Sequence, residues 1–288
     1  MKTLRTIAEV RAHVAAARRA GRRIGLVPTM GAFHAGHEAL MRAARERCDV
    51  VIVSLFVNPA QFEEPADLAG YPRSEARDAA IAAGLGVDAL FAPAVEEIYP
   101  PGFATTVRVG GLADVLEGAE RGARHFDGVC TVVCKLFGIV TPDVAFFGQK
   151  DAQQVVVIRH MVRDLAIPVG LHVVPTVRDP DGLALSSRNA RLSAADRERA
   201  VALARGLQAV REAIEAGERD ASAAVAAGRA AMAAEDVEPE YLAVVDPDTL
   251  EDAATVGGRM LVVVAARVGP ARLIDNILID TQQVATPV

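Results

Sequence analysis

The sequence predicts an α/β protein with a doubly wound parallel sheet followed by a second, smaller α+β domain. Strand-like and helix-like segments alternate from residue 7 to residue 174. One strand-like run, 50–57, is almost uniformly apolar, which is typical of a parallel strand covered on both faces. After residue 176 the alternation gives way to two helical segments and then three strand-like runs. The predicted domains are therefore 1–176 and 177–288.

In the first domain, apolar residues at helical spacing predict a helix over residues 7–20, which Gly21 ends. Short apolar runs predict strands at 24–28, 50–57, 89–91, 144–147 and 169–174. Further helices are predicted at 37–47, 74–84, 127–139 and 151–165. The segment 93–126, which contains Gly and Pro, is expected to be irregular apart from a strand at 105–109.

The second domain opens with a loop, 175–190, in which Asp-Pro-Asp-Gly is typical of a turn. Ser193 is predicted to cap a long helix over 194–216, and an alanine-rich helix at 220–234 follows. The last predicted elements are strands at 241–245, 260–266 and 273–279.

Composition and charge argue against several classes of function. The chain has 288 residues and a formal net charge of −6, so it lacks the positive charge that general nucleic-acid binding requires. Its three cysteines, Cys48, Cys130 and Cys134, do not suggest a disulfide framework in a chain of this length. The apolar runs are shorter than a membrane span, and the N-terminus lacks the features of a secretory signal. We expect a soluble, cytoplasmic protein that binds neither nucleic acid nor membrane.

The stretch 24–41 is the strongest candidate for a phosphate site. A buried strand leads through a turn containing Gly31 into a helix, and His34 and His37 lie where that helix begins. Unpaired amides and a partial positive charge at a helix start attract anions, and two histidines there could face one phosphate. The alternative is a metal site, because His-x-x-His also suits zinc, although no third ligand of obvious spacing lies nearby.

Three other stretches carry polar groups suited to a nucleotide site. Asn58 and Gln61 follow the 50–57 strand, where uncharged amides can recognise hydroxyl groups. Lys150 opens a helix after another strand, where a lysine opposes the helix dipole and is better explained by phosphate binding. Arg188 lies with two serines in a loop that can hold a pyrophosphate. The alternative for each stretch is an ordinary polar loop or a capping group.

These groups indicate a nucleotide-handling α/β enzyme but do not identify its substrate. The anion-binding candidates lie on three separate segments and are His34, His37, Lys150 and Arg188. They would form a triphosphate site if the fold brings them to one cleft. Neither the P-loop spacing nor the Gly-x-Gly-x-x-Gly fingerprint is present.

Five ordered motifs resemble those of the pantoate–β-alanine ligases, a family in the superfamily of nucleotidyltransferases that carry a HIGH-type signature. The motifs are Pro-Thr-Met-Gly-Ala-Phe-His-Ala-Gly-His at 28–37, Phe-Val-Asn-Pro-x-Gln-Phe at 56–62, Tyr-Pro-Arg at 71–73, Phe-Phe-Gly-x-Lys-Asp-x-Gln-Gln at 146–154 and Leu-Ser-Ser-Arg-Asn at 185–189. The match extends from about residue 24 to residue 280 in the same order. Five motifs in one order make the resemblance specific.

The resemblance implies a Rossmann-like first domain that binds nucleotide and pantoate, and a second domain that closes over ATP. It implies that ATP activates pantoate as an adenylate, which β-alanine then converts to pantothenate. The implied catalytic residues are His34, His37, Lys150 and Arg188. The implied ATP-binding residues are Met30, His34, His37, Gly148, Lys150, Asp151, Ser186, Ser187 and Arg188. The implied pantoate-binding residues are Asn58, Gln61 and Gln154.

The resemblance also implies Mg²⁺ on the phosphates and a homodimer. Asp78 falls near an acidic position that the family associates with the metal. One family motif, Arg-Pro-x-His-Phe, is a residue longer here, so either Arg121 or Arg124 takes the place of its arginine. Two alternatives are a nucleotidyltransferase acting on a different small substrate and a non-catalytic nucleotide-binding module.

Overall fold

The computed structural model describes residues 1–63 and 65–284, which divide into two compact units. The first unit contains Met1–Gln149 and Gln153–Pro175. The second contains Lys150–Ala152 and the chain from Thr176 onward. Within the described residues, no helix combines the length and the hydropathy needed to cross a membrane.

The first unit is built on a parallel sheet of six strands. In chain order they are β1 (Lys2–Leu4), β2 (Ile24–Thr29), β3 (Val50–Leu55), β4 (Ala89–Phe91), β5 (Val144–Gly148) and β6 (Gly170–Val174). The order across the sheet is β1-β4-β3-β2-β5-β6. Strands β3 and β4 therefore extend the sheet on one side of β2, whereas β5 and β6 extend it on the other. Such a reversal opens a crevice at the carboxyl ends of the strands, and that is where doubly wound sheets bind ligands. The predicted α/β fold with a doubly wound parallel sheet is confirmed.

Helices flank this sheet. They are α1 (Ile7–Arg19), α2 (Ala35–Arg47), α3 (Pro65–Ala69), α4 (Glu75–Gly84), α5 (Val95–Ile98), α6 (Glu117–Arg121), α7 (Ala123–Val140) and α8 (Ala152–Asp164). The first residue of α8, Ala152, belongs to the second unit. On one face of the sheet, Val27, Val51 and Leu90 pack with Met41 of α2, and all four are fully buried. The apolar stripe of α2 therefore fixes the helix against the strand that precedes it.

In the first unit, the segment 93–126 was predicted to be irregular but contains α5, α6 and the start of α7, and one strand was not predicted. The strand predicted at 105–109 does not form, and the amide of Val107 donates to Oγ1 of Thr131, 2.9 Å away. Strand β1 was not predicted. It has only three residues, and its hydrogen bonds to β4 link positions more than 80 residues apart in the chain.

The second unit places helices against an antiparallel sheet of order β7-β8-β9. Its strands are β7 (Pro239–Val245), β8 (Arg259–Val268) and β9 (Ala271–Asp280), and its remaining helices are α9 (Ala194–Arg199), α10 (Ala202–Glu215), α11 (Ala221–Ala233) and α12 (Thr281–Val284). Oγ of Ser193 accepts the Asp196 amide at 3.1 Å, as a capping residue does. The long helix predicted at 194–216 is interrupted after Arg199 and continues as α10.

Candidate active site

The histidine loop, residues 30–37, connects β2 to α2 and carries both predicted catalytic histidines of the first unit. Gly31 and Ala32 both adopt left-handed backbone conformations, with φ of 92° and 54°. Phe33 then anchors the loop, because its side chain is only 1% exposed and lies in the core beside the sheet. Helix α2 starts immediately afterwards, with His34 as its capping residue.

The two histidines hold the first turn of α2 together. Nδ1 of His34 accepts the Gly36 amide at 3.1 Å, and Nδ1 of His37 accepts the His34 amide at 3.4 Å. The two rings are tilted against each other, with their centroids 4.2 Å apart. Because each Nδ1 accepts a hydrogen bond, the proton of each neutral ring is on Nε2. Both rings can therefore donate from Nε2 to an anion.

Gly36 separates the two histidines for a steric reason. Its φ is not in the left-handed region, so the backbone does not require glycine. A Cβ at this position would lie 2.9 Å from Cε1 and 3.0 Å from Nδ1 of His34. The glycine therefore makes room for the ring that caps the helix.

Asp78, on α4, contacts the histidine loop directly. Its Oδ2 accepts the Ala32 amide at 2.8 Å and its Oδ1 accepts the Phe33 amide at 2.9 Å, while the residue is only 1% exposed. In the described part of the chain, no group of three or more His, Cys, Asp or Glu side chains is placed to hold a metal ion. Each carboxylate oxygen accepts one loop amide, which accounts for the burial of Asp78 without a metal, and the metal role of Asp78 stays a prediction.

The predicted pantoate residues Asn58 and Gln61 belong to a chain of hydrogen bonds that starts at Tyr99. The Tyr99 hydroxyl donates to Oδ1 of Asn58 at 2.7 Å. Nδ2 of Asn58 donates to Oε1 of Gln61 at 3.0 Å and to the Gly128 carbonyl at 3.0 Å. The end of this chain is Nε2 of Gln61, a donor that lies 3.1 Å from Sδ of Met30.

Burial keeps the Tyr99 hydroxyl, the first group of this series of hydrogen bonds, protonated and therefore a donor. It raises the pKa of Tyr99 to about 12, so the hydroxyl keeps its proton throughout the neutral range. The orientation of both amides follows from that proton. Gln61 is also fixed through its backbone, because Nδ1 of His125 lies 2.8 Å from its carbonyl oxygen.

Two adjacent glutamines on α8 differ in what they contact. Gln153 is buried. Its Oε1 accepts the Glu117 amide at 3.0 Å, and its Nε2 donates to the carbonyls of Leu112 and Val115 at 2.8 and 2.7 Å. It thereby holds the segment before α6, a structural role that the sequence did not reveal. Gln154, the predicted pantoate residue, is half-buried.

In the second unit, Lys150, Ser186 and Arg188 line one pocket together with Asn189 and Arg272. The Lys150 side chain is 17% exposed, and its Nζ lies 3.5 Å from Oδ1 of Asp151. Its backbone is held by β9, because Nδ2 of Asn276 donates to the Lys150 carbonyl at 2.9 Å. The structure therefore brings together a lysine, a serine and an arginine that were predicted to bind phosphate.

The loop that carries Ser186 is supported by a buried ion pair. Arg178 donates to Oδ2 and Oδ1 of Asp275 at 2.5 and 2.9 Å, and to the Gly182 carbonyl at 2.9 Å. Burial raises the pKa of the Asp275 carboxyl, and the guanidinium opposes that effect. Oγ of Ser186 then accepts the Arg188 amide at 3.2 Å, which starts a short 3₁₀ turn.

The predicted site residues are divided between the units. The first unit contains Met30, His34, His37, Asn58, Gln61, Asp78, Gly148 and Gln154. The second contains Lys150, Asp151, Ser186, Ser187 and Arg188. Of the two candidate arginines in 121–126, Arg121 donates Nε to Glu117 at 2.8 Å. The chemical roles assigned to all these residues, and to the two domains, stay predictions.

Comparisons with known proteins identify what this chain resembles. The model of the family described as pantoate-beta-alanine ligase matches residues 2–278. A pantothenate synthetase from Moorella thermoacetica is 53% identical over 285 residues, covering 97% of this chain and 99% of that protein. One from Cereibacter sphaeroides is 53% identical over 274 residues, covering 95% and 98%.

Solved structures agree with the sequence matches. A pantothenate synthetase from Thermus thermophilus has a TM-score of 0.91 at 47% identity, covering 96% of this chain and 99% of that one. A pantoate-beta-alanine ligase from Francisella tularensis, complexed with beta-gamma ATP and beta-alanine, has a TM-score of 0.79 at 35% identity, covering 96% and 97%. These matches do not favour a nucleotidyltransferase of another substrate.

Proposed function

The chain belongs to the pantoate-beta-alanine ligase family, and from that membership we propose that it condenses pantoate with β-alanine at the expense of ATP. The observation that carries the proposal is the family match over residues 2–278, with about half of the residues identical to those of pantothenate synthetases. The product, pantothenate, is a precursor of coenzyme A. The enzyme is thus a ligase that forms AMP.

The reaction has two steps. A carboxylate oxygen of pantoate attacks the α-phosphorus of ATP, the bond to the bridging oxygen breaks, and pyrophosphate leaves with that electron pair. The amine of β-alanine then attacks the acyl carbon of pantoyl adenylate, the amide bond forms, AMP leaves, and the nitrogen releases a proton. No covalent bond to the enzyme is required, so catalysis rests on placement and on stabilisation of charge.

His34 and His37 are the proposed phosphate-binding residues of the first unit. Each presents Nε2–H, and both lie at the N-terminus of α2, a helix of 13 residues whose dipole favours an anion. Hydrogen bonds that strengthen as negative charge accumulates on the phosphates would lower the barrier to the first step. Met30 and Gly148 are proposed to border the nucleotide.

Lys150 and Arg188 are the proposed cations of the second unit. A lysine acts as a mobile point charge, whereas a guanidinium can bind two phosphate oxygens at once. Ser186 and Ser187 supply hydroxyl donors next to Arg188, and Asp151 is proposed to contact the ribose. The pocket that Lys150, Ser186 and Arg188 share supports an assignment to the triphosphate.

Asn58, Gln61 and Gln154 are proposed to bind pantoate. The hydrogen-bond chain from Tyr99 leaves Nε2 of Gln61 as a donor, which suits the carboxylate and hydroxyl oxygens of pantoate. Neutral amides can hold a carboxylate without lowering its nucleophilicity as strongly as a cation would. This arrangement therefore fits a substrate whose carboxylate must attack.

We also propose Mg²⁺, a homodimer and a cytoplasmic location, on the strength of the family resemblance. Asp78 is engaged with two loop amides, and among the described residues no group of three or more His, Cys, Asp or Glu side chains could hold a metal ion, so Mg²⁺ is proposed to arrive with ATP. A bound Mg²⁺ would offset charge on the phosphates.

The test follows pyrophosphate and AMP after the protein is mixed with pantoate and Mg-ATP, with and without β-alanine. We expect up to about one pyrophosphate per site without β-alanine, because the adenylate stays bound. AMP and pantothenate should then appear only when β-alanine is added. If folded protein releases no pyrophosphate under either condition, the proposed function is wrong.

A further inference from the structure

We propose that Asp78 is a positioning residue that sets the conformation of the histidine loop, and that it is not a metal ligand. The inference rests on the proposed function, because the reaction it affects is the adenylation described above. It concerns the first unit only.

The carboxylate of Asp78 binds two consecutive amides. Ala32 donates to one oxygen at 2.8 Å and Phe33 donates to the other at 2.9 Å. A carboxylate that bridges successive amides fixes the orientation of both peptide planes, and hydrogen bonds to a charged acceptor are among the stronger ones. Since the residue is 1% exposed, water does not compete for these amides.

The loop conformation needs such support. Ala32 has a Cβ and nevertheless adopts a φ of 54°, in the left-handed region that side chains with a Cβ disfavour. Its amide is one of the two that Asp78 accepts. The carboxylate therefore offsets the strain at the residue where it arises.

The fixed turn leads directly to the catalytic histidines. Phe33, whose amide is the second one bound, is followed by His34, the capping residue of α2. Any change in the direction of the Phe33 peptide plane moves the His34 ring and, through the His34 amide, the ring of His37. The placement of both Nε2 donors thus depends on a residue that is distant in the chain and belongs to another helix.

The surroundings of Asp78 do not suit a metal. Gly31 packs against the same carboxylate, so closely that a Cβ there would lie 3.0 Å from Oδ2 and 2.7 Å from Cδ1 of Leu55. The oxygens are therefore enclosed by the loop on one side and committed to its amides. A Mg²⁺ ion, which keeps several waters, needs a more open site.

The principal test is the Asp78→Asn variant of the full chain. Its side chain has nearly the same shape but only one acceptor oxygen, and its NH₂ group faces a loop amide. We expect kcat for pyrophosphate release to fall about 10- to 100-fold, since one strong hydrogen bond is lost. The KM for β-alanine and the Mg²⁺ concentration at half-maximal rate should not change.

Amide hydrogen exchange measures the same contact without relying on activity. In the unaltered protein the Ala32 and Phe33 amides should be protected, and in Asp78→Asn they should exchange at least about tenfold faster. Asp88→Asn is the control, because Asp88 also accepts a backbone amide, that of Val51 at 2.8 Å, and its other partner, Arg45 at 2.7 Å, lies in the last turn of α2, at the opposite end from the histidines. The Asp88→Asn variant should have a lower free energy of unfolding but an unchanged kcat for pyrophosphate release.

Gly31→Ala provides a second variant if Asp78→Asn does not fold. It displaces the loop from the carboxylate and leaves Asp78 itself unaltered, so it should reproduce the drop in kcat with an unchanged Mg²⁺ requirement. Recovery of Asp78→Asn by excess Mg²⁺ would overturn the proposal, as would unaltered exchange at Ala32 and Phe33. Absence of pyrophosphate release by the unaltered protein would instead refute the proposed function, and the exchange measurement would still test the loop contact.

Discussion

Asp78 in the first unit and Asp275 in the second are both buried, and each supports a segment that carries predicted phosphate-binding groups, but their partners differ. Asp78 accepts two loop amides, whereas Asp275 accepts two hydrogen bonds from the Arg178 guanidinium. The first arrangement fixes a backbone directly. The second fixes it through a side chain, which in turn holds the Gly182 carbonyl.

The partner of a buried carboxylate decides what its removal does. Loss of Asp78 would leave the Ala32 and Phe33 amides unpaired, and these groups carry no net charge. Loss of Asp275 would leave Arg178, whose side chain is 27% exposed, without its counter-ion. Removing one member of a buried ion pair is the more damaging change to stability, whereas removing the amide acceptor should affect mainly the geometry of the loop.

The largest expected effects test whether both segments serve one reaction. His37→Ala and Lys150→Ala should each lower pantothenate formation by about 10²- to 10³-fold, because each removes a donor that stabilises charge on the phosphates. Rates and thermal unfolding should be measured together. His160→Ala, a histidine of α8 with no predicted role, is the control and should keep its activity. Unchanged turnover in either variant would refute the role assigned to that residue.

The difference in stability is tested by Asp275→Asn beside Asp78→Asn. We expect Asp275→Asn to lower the free energy of unfolding by about 3 kcal/mol and Asp78→Asn by about 1–2 kcal/mol. Urea unfolding measures both. Replacing both members of the pair, Arg178→Met with Asp275→Leu, should cost less stability than Asp275→Asn alone, since no charge is left unpaired. Equal losses of unfolding free energy in Asp275→Asn and Asp78→Asn would show that the partner of the carboxylate does not decide its contribution to stability.

Asn276→Ala tests the support of Lys150 within the second unit. It frees the Lys150 carbonyl but leaves the Arg178–Asp275 pair in place. The KM for ATP should rise about 3- to 10-fold, in line with one lost hydrogen bond of about 1 kcal/mol. The KM for pantoate is the internal control and should stay the same. A parallel rise in both constants would show that the effect is not confined to the lysine segment.

Tyr99→Phe tests the corresponding support in the first unit, where a hydroxyl orients two amides. We expect the KM for pantoate to rise about 2- to 10-fold, equivalent to roughly 0.5–1.5 kcal/mol, with little change for ATP. Because the pKa of Tyr99 is raised to about 12, the ratio between variant and unaltered protein should be constant across the neutral range and into mild alkali. Tyr241→Phe, in β7, is the matched control. A pH-dependent ratio would contradict a role for the protonated hydroxyl.

Local sequence patterns were sufficient to predict most of the sheet. The strand Ala89–Phe91 was predicted with its observed bounds, and the apolar run beginning at Val50 forms a strand buried on both faces. The break in the helix after Arg199 was missed because no Gly or Pro in residues 194–202 marks it. The short strand Lys2–Leu4 was missed because its stability comes from pairing with β4 and not from its own residues.

In the candidate site too, local features could be predicted from the sequence, whereas contacts between distant residues could not. Histidines at a helix start are visible in the sequence, because capping is a local property. Their support is not, since Asp78 lies 46 positions from the Ala32 amide and Asp275 lies 97 positions from Arg178. The orientation of the Asn58 and Gln61 amides was equally inaccessible, because it depends on a hydroxyl 41 positions away from Asn58. Supporting residues of this kind become visible only when the chain is folded.

The spacing of the two histidines also limits how this segment can change during evolution. Since the ring of His34 occupies the volume that a Cβ at position 36 would need, these two positions are coupled. A library that randomises residue 36 alone should return glycine, whereas one that also replaces His34 by asparagine should accept alanine. The segment would therefore be inherited, or transplanted into another protein, as one unit.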